Sequence, residues 1–392
     1  MMWLPTAFLG AALASGQTTH VWTALSAVDR LPSGPVRDLL SDPAVHGALV
    51  SGTMFPDGGY SPFVNHDYGE TAHWEPFQMA YANWIVTTWP DPDSEEARLH
   101  TAFLFGLVAH GIGDQFFDAA YLERSKAIEP WNSSGADTAT DVVFASLVGG
   151  FPPNEHWVPY EDLVPLFAEV GVEVDVETMA TGMSSLDLAI AFVGSSGADP
   201  SVVEQYAAQY PWASSHLLDA TVPGSPQQMP DVISVYWLRW WERMRGSWAD
   251  EDFFVGASPA NGSYGFPAGA EGYANLVSIV LGKAVDENTI ESEVTATSEN
   301  KPIEISSNMY YGQWTNVLNV APVQGWPIDA EVSIEVPGEV VTIDGWTSEP
   351  LVLAFSTGFP DAVADLPVGC NSAVSGAGFW GFGLFFGLRR RR

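Results

Sequence analysis

His66-Asp67-Tyr68-Gly69-Glu70-Thr71-Ala72-His73-Trp74-Glu75-Pro76-Phe77-Gln78-Met79-Ala80-Tyr81-Ala82-Asn83-Trp84-Ile85 is the stretch that decides how this chain reads. From Phe77 onward its apolar residues recur at helical spacing, and strand-like alternation is scarce. Before that, Glu70 and His73 stand three apart, which places both on one face of a helix. A helix-rich scaffold carrying groups of metal-ligand type is the first inference.

Working outward, segments 98–113, 161–170, 185–193 and 231–245 repeat the helical pattern. Pro and Gly clusters such as Gly149-Gly150-Phe151-Pro152-Pro153 separate them. The tryptophan-rich run Arg239-Trp240-Trp241-Glu242-Arg243 reads as helix packing, because tryptophans at such spacing bury their area. Beyond about Asp286 the texture changes. Ile303-Glu304-Ile305-Ser306, Val332-Ser333-Ile334-Glu335-Val336 and Val340-Val341-Thr342-Ile343 largely alternate apolar with polar residues, as half-buried strands do. The expected fold class is mainly α: a multi-helix domain over 15–285, then a small β-sandwich-like domain over 286–365. No internal repeat is evident.

The 48 Asp and Glu outnumber the 14 Lys and Arg, and four of those arginines stand together at the C-terminus. So acidic a body repels phosphate backbones, which argues against broad nucleic-acid binding. Bound divalent ions would make a site locally positive all the same. With one cysteine, Cys370, the chain forms no internal disulfide, so stability rests on core burial and on metals.

Both ends read as address labels. The apolar N-terminus closes on Ala12-Leu13-Ala14, a small-x-small cleavage pattern, so 1–14 is expected to be a signal peptide and Ser15 the mature first residue. At the other end, Gly369-Cys370 precedes about 16 mostly small and apolar residues and then Arg389 to Arg392, which the positive-inside rule keeps cytoplasmic. This tail, 366–392, resembles the Myxo-type C-terminal sorting signal. The resemblance implies an exported envelope protein, a sorting machinery as partner, and Cys370 as a processing or lipidation point; a permanent transmembrane anchor is the alternative.

The candidate chemistry lies in the helical part. His110-Gly111-Ile112-Gly113-Asp114 sets an imidazole and a carboxylate one turn apart on an otherwise apolar helix, and Asp118 follows at the next i+4 position. Such groups are costly to bury unpaired, and coordination offsets that cost. Imidazole together with carboxylate suits zinc. The ordered set His20, Asp57, His73, His110, Asp114, Asp118 and Asp137 is what points to a metal site.

From about Ser15 to Asp141 the sequence resembles the zinc-dependent phospholipase C family, nearest its glycosylphosphatidylinositol-specific phospholipase D-like branch; the wider fold includes the S1/P1-type nucleases. The residues that carry the resemblance are Thr19-His20, Phe55-Pro56-Asp57-Gly58-Gly59-Tyr60, His66-Asp67-x-x-Glu70-x-x-His73-Trp74-x-Pro76-Phe77, His110-x-x-x-Asp114 and Gly135-Ala136-Asp137-x-x-x-Asp141. The resemblance implies three zinc ions between helices. Asp57, His73, His110 and Asp114 would hold one, and His20, Asp114 and the amino and carbonyl groups of Ser15 another. At the third position the family has histidines where Asp118 and a residue near Ser133 stand, so Asp118, Asp137 and Asp141 leave an all-oxygen set for zinc, calcium, magnesium or nothing. Asp57 is the expected catalytic group that orients or deprotonates water. His66, Asp67 and Glu70 are the expected outer shell fixing the tautomer of His73, and Trp74 and Phe77 a lipid-facing rim.

The implied activity is hydrolysis of phospholipid or glycolipid phosphodiesters. A nuclease of the same fold and a catalytically reduced, metal-stabilised adhesion protein are the alternatives. No Gly-x-Ser-x-Gly nucleophile elbow and no phosphate-cradling glycine loop with lysine occurs, which disfavours serine-esterase and nucleotide-driven chemistry.

Overall fold

The structure, a computed structural model, describes residues 16–358 apart from 62, 130–134, 152–155, 267, 269–274, 291–292 and 313. The expected signal peptide, Ser15, the sorting tail and Cys370 lie outside the described residues. Helices come first: α1 (Gln17–Arg30), α2 (Pro35–Leu40), α3 (His46–Gly58), α4 (Tyr68–His73), α5 (Glu75–Thr88) and α6 (Glu95–Phe116). A π-helical turn, Phe117–Leu122, continues α6 into α7 (Glu123–Ile128). Then follow α8 (Ala136–Val148), α9 (Tyr160–Glu169), α10 (Val176–Gly197), α11 (Pro200–Ala207), α12 (Pro211–His216) and α13 (Met229–Arg245).

Helix α6 is the axle of this part. Ser94 caps it by accepting from the Ala97 amide at 3.3 Å, and almost every residue from Ala97 to Phe116 is buried. Such a helix, apolar all round, is stable only when surrounded by other helices. Its tightest neighbour is α3, and glycine makes the approach possible. A Cβ on Gly52 would lie 2.1 Å from the Phe103 carbonyl oxygen, and one on Gly106 would lie 2.3 Å from that of Leu49. This close crossing brings Asp57, near the end of α3, against His110 and Asp114 of α6.

Among the described residues the β part has eight strands: β1 (Phe254–Ser258), β2 (Val277–Val285), β3 (Thr295–Ser298), β4 (Lys301–Ile303), β5 (Ile305–Met309), β6 (Thr315–Pro322), β7 (Glu331–Val336) and β8 (Leu351–Ser356). They form two antiparallel sheets of order β1-β2-β6-β5 and β4-β3-β7-β8. One core joins the sheets, with Ile279, Leu281, Leu318 and Val320 facing Ile334, Leu353 and Phe355. The opposite face of the first sheet gives Val255, Val280 and Val317 to the helical core. That sheet is therefore a middle layer.

This layering corrects the expected boundary at 286. The β part begins at Phe254, and β2 pairs with β6 in the register Ile279↔Leu318. Every residue of β2 is buried, so apart from Ser278 and Lys283 its sequence is apolar or small on both faces, without the alternation that marks a strand with one wet face. The helical and β parts share buried polar bonds as well. The Glu75 carboxylate accepts from Arg243 Nη2 (2.6 Å), the Ala284 amide (2.8 Å), Asn316 Nδ2 (3.0 Å) and the Tyr236 hydroxyl (3.1 Å). The 239–243 cluster packs as expected: Trp240 is buried, Arg243 lies 4.5 Å from its ring, and Arg239 pairs with Asp252.

Replacing Glu75 by Ala would leave Arg243 buried and unpaired and free three further donors. We expect a loss of about 3–5 kcal/mol, the usual cost of breaking a buried ion pair from one side. Urea denaturation checks it: a loss below about 1 kcal/mol would show that the carboxylate does not join the two parts.

Candidate metal centre

Five side chains from four helices meet in the interior. His20 lies in the first turn of α1, Asp57 near the end of α3, His73 at the end of α4, and His110 and Asp114 one turn apart on α6. Asp114 Oδ2 is 3.2 Å from His110 Nε2 and 3.4 Å from His73 Nε2, and Asp114 Oδ1 is 3.1 Å from His20 Nε2. Asp57 lies slightly further out, 3.6 Å from His73, 3.8 Å from His110 and 4.0 Å from His20. The rings of His20 and His110 stack at 3.8 Å. All five residues are buried.

The tautomers follow from the hydrogen bonds. His73 Nδ1 is 2.6 Å from the Gly69 carbonyl oxygen and His110 Nδ1 is 2.8 Å from that of Thr53. A carbonyl only accepts, so each Nδ1 carries a proton and each neutral ring turns its Nε2 lone pair inward. The two Nε2 atoms stand 2.9 Å apart. Two lone pairs at that distance repel unless a proton or a cation lies with them. Asp57 Oδ1 is buried and accepts no hydrogen bond, while Gln17 Nε2 donates to Oδ2. Inward-facing imidazole nitrogens, carboxylate oxygens and an unsatisfied acceptor are a donor set that fits zinc.

Without a cation, protons take its place. Burial works against charging His73, but Asp114 and Asp57 beside it outweigh burial and hold its pKa up at about 10. His20 is raised too: burial opposes protonation, and the Asp114 charge and hydrogen bond prevail. His110 is lowered, by burial first and then by the neighbouring His20. Burial acts to raise Asp114, yet His20 and His110 hold it well below the usual carboxylate range.

The remaining expected residues divide. Asp118 sits on the π-helical turn, pushed up to about 8 by burial and by the Asp114 charge, and accepts from the Tyr311 hydroxyl. Asp137, half-buried in the first turn of α8, is raised well above its ordinary value by burial and by the Asp118 and Asp114 charges. Asp141 does not join them. Its carboxylate accepts from the amides of Thr18 (3.1 Å) and Thr19 (2.8 Å) and from the Thr19 hydroxyl (2.9 Å). It thus caps α1 from another helix and fixes the turn that carries His20.

The expected outer shell is corrected. None of His66, Asp67 and Glu70 bonds to His73, whose Nδ1 is held by the backbone carbonyl of Gly69. His66 Nδ1 accepts from the Tyr68 amide at 3.1 Å, closing a local turn, and Asp67 is exposed. Glu70 ties the rim together, accepting from Trp74 Nε1 at 2.7 Å and from the Tyr60 hydroxyl. Phe77 is core, stacked 4.1 Å from Phe167, so Trp74 alone of the expected aromatic pair lies at the rim. Nothing in the sequence singles out Gln17 or Tyr311: each acts through one contact made only in the folded chain.

Comparison with known proteins first gives a class: part of the chain is homologous, weakly, to hydrolytic phospholipases. The relatives are phosphatidylinositol-glycan-specific phospholipases D, from mouse (28% identical over 41% of this chain and 21% of the relative), cattle (30% over 31% and 16%) and human (32% over 28% and 14%). The aligned stretches thus span about a fifth or less of those proteins. No family model matches. Among solved structures, the N-terminal part of the bacterial S-layer protein SbsC is similar at 12% identity and a TM-score of 0.22, over 83% of this chain and 79% of that one, too loose to define a shared fold.

Zinc added to the metal-free protein at neutral pH should release protons, because His73 is protonated up to about pH 10 and must give up its proton to bind. Apparent affinity should therefore climb as pH rises towards 10. Calorimetry in buffers of different ionisation enthalpy counts the protons, with elemental analysis of His110→Ala as control. Zinc uptake without proton release, or a variant that keeps full zinc content, contradicts this assignment.

Proposed function

We propose that the chain is an exported, metal-dependent phosphodiesterase that hydrolyses phospholipid or glycolipid phosphodiester bonds. The carrying observation is the convergence of three imidazole Nε2 atoms with the Asp57 and Asp114 carboxylates, two of the rings being fixed in tautomer by backbone carbonyls. The partial similarity to phosphatidylinositol-glycan-specific phospholipases D supports the substrate class. The reading retains a helical catalytic domain with a β module, a signal peptide ahead of Ser15, and a tail with Cys370 that places the protein at the cell envelope.

His20, His73, His110, Asp57 and Asp114 would hold zinc, together with the terminal groups of Ser15. Zinc there supplies Lewis acidity toward the phosphoryl oxygens and acidifies the attacking water. Asp57 takes the water's proton: its Oδ1 is a buried acceptor with no other donor, and the Gln17 amide on Oδ2 fixes the plane of the carboxylate. His73 and His110 keep their protons on Nδ1, so neither ring turns away from the centre. Water adds at phosphorus, one P–O ester bond breaks, and the leaving oxygen takes up the proton that Asp57 accepted from water. Asp118 and Asp137, the expected ligands of a third position, offer oxygen alone, which suits calcium or magnesium as much as zinc; with that position unfilled, Asp118 Oδ1 is left to accept from substrate.

The absence of imidazole at that third position favours one other reading, a metal-stabilised surface protein with little turnover. Vesicles containing phosphatidylinositol or a glycosylphosphatidylinositol separate the two. We expect chelator-sensitive release of water-soluble headgroup, reduced about 10²–10³-fold in Asp57→Asn when the rate is expressed per zinc-loaded chain. Full zinc loading with no hydrolysis of these lipids would leave the structural reading standing.

A further inference from the structure

The proposed zinc ligands and Asp57 all lie in the helical part, yet the β part places a side chain beside the metal centre, on Asp118. Tyr311 lies in the turn between β5 and β6. Its hydroxyl donates to Asp118 Oδ2, and its ring meets Trp74 edge-on with centroids 5.2 Å apart. Tyr311 as a whole is 50% exposed, so it stays accessible from solvent. Its backbone is left-handed, φ +67°, a conformation that glycine adopts without strain and a tyrosine rarely does. The turn is held on both sides. Gly312 N donates to the Met309 carbonyl at 3.1 Å, and Trp314 N donates to that of Val285 at 2.8 Å. Tyr311 is thus held beside Asp118 and Trp74, at the edge of the metal centre.

The surrounding groups define a chemistry. Trp74 and Tyr60 are both bonded to Glu70, and the Tyr60 ring lies 5.3 Å from that of His73. Trp74 and Tyr311 continue this aromatic rim toward Asp118. Asp118 is 8% exposed, and its Oδ1 is buried and has no hydrogen-bond donor. A molecule lying against these rings and Asp118 needs an apolar C–H face for the rings and an O–H or N–H donor for Asp118. A cyclic polyol has both; a trimethylammonium group has no donor.

We propose that Tyr311, delivered by the β part, is a specificity-determining residue of the phosphodiesterase: its ring and that of Trp74 form the wall on which a polyhydroxylated ring headgroup lies, and its hydroxyl positions Asp118 to accept from that headgroup. The proposal rests on the phosphodiesterase reading and deepens it. The β part is then a component of the substrate site and no appendage to it.

The test is equilibrium binding to the full zinc-loaded chain of three probes: myo-inositol 1-phosphate, phosphocholine and inorganic phosphate. The wild type should bind the inositol phosphate about tenfold more tightly than either of the others, the scale of one good aromatic platform. In Tyr311→Ala that ratio should fall to near one. Tyr311→Phe, which keeps the ring, should retain most of it, and elemental analysis with thermal melting shows that each variant is folded and loaded. A wild-type ratio in Tyr311→Ala overturns the proposal. So does a wild type that binds phosphate without preferring the polyol, which leaves the phosphodiesterase reading intact. A wild type that binds neither zinc nor phosphate sinks both.

Discussion

Two carboxylates, Asp57 and Asp114, lie in an interior from which water is nearly excluded, at 1% and 3% exposure. An ionised carboxylate in such surroundings is tolerated only against compensating positive charge or several donors. The chain supplies three imidazoles, and protonated rings answer the charge when no cation does. That solution is imperfect, since it leaves Asp57 Oδ1 without a donor and sets two protonated rings, His20 and His73, against the buried His110 ring at 3.8 and 4.6 Å. A divalent cation removes both defects in one step. The close α3–α6 crossing, the Asp141 cap on α1 and the two backbone-held imidazoles all converge on this one electrostatic problem.

The same constraint explains why the first β-sheet lies against the helices. The π-helical turn after α6 interrupts the regular ladder of amide bonds, so its carbonyls need partners from elsewhere. Asn319 of β6 donates to the Ala119 carbonyl at 3.1 Å, and the Asn316 amide donates to Gln115 Oε1 at 2.7 Å. Strand β6 therefore secures the segment from Gln115 to Ala119, which carries Asp118. Glu75 secures the same strand from the α5 side. The ligand-bearing helix and the sheet are parts of one polar network, and the shared core around Val280 and Val317 surrounds it with apolar contact.

Much of the helical part was legible because its signals are local. Apolar spacing at 98–113 and 231–245 marks α6 and α13, and ligand-type residues stand out against apolar neighbours at His110 and Asp114. Misreadings arose where the partner was not a side chain or not nearby. The tautomer of His73 is fixed by the Gly69 carbonyl; every residue has a carbonyl, so no spacing of His66, Asp67 or Glu70 could reveal it. Asp141 looks like a ligand by composition and becomes a cap because α1 points its free amides at it. Strand β2 hides its type because both its faces are buried.

By itself, the sequence determined a mainly helical fold with a β-rich C-terminal part, an acidic surface, and the residue types from which a metal centre could be assembled. Each of these follows from periodicity or composition within a short window. Only the tertiary structure decided which of those residues meet, which imidazole nitrogens face inward, that Asp141 leaves the set, and that Tyr311 reaches Asp118 from the far end of the chain. Those outcomes depend on distances between segments remote in sequence, which are set when the glycine crossing of α3 and α6 and the doubly buried sheet pack together.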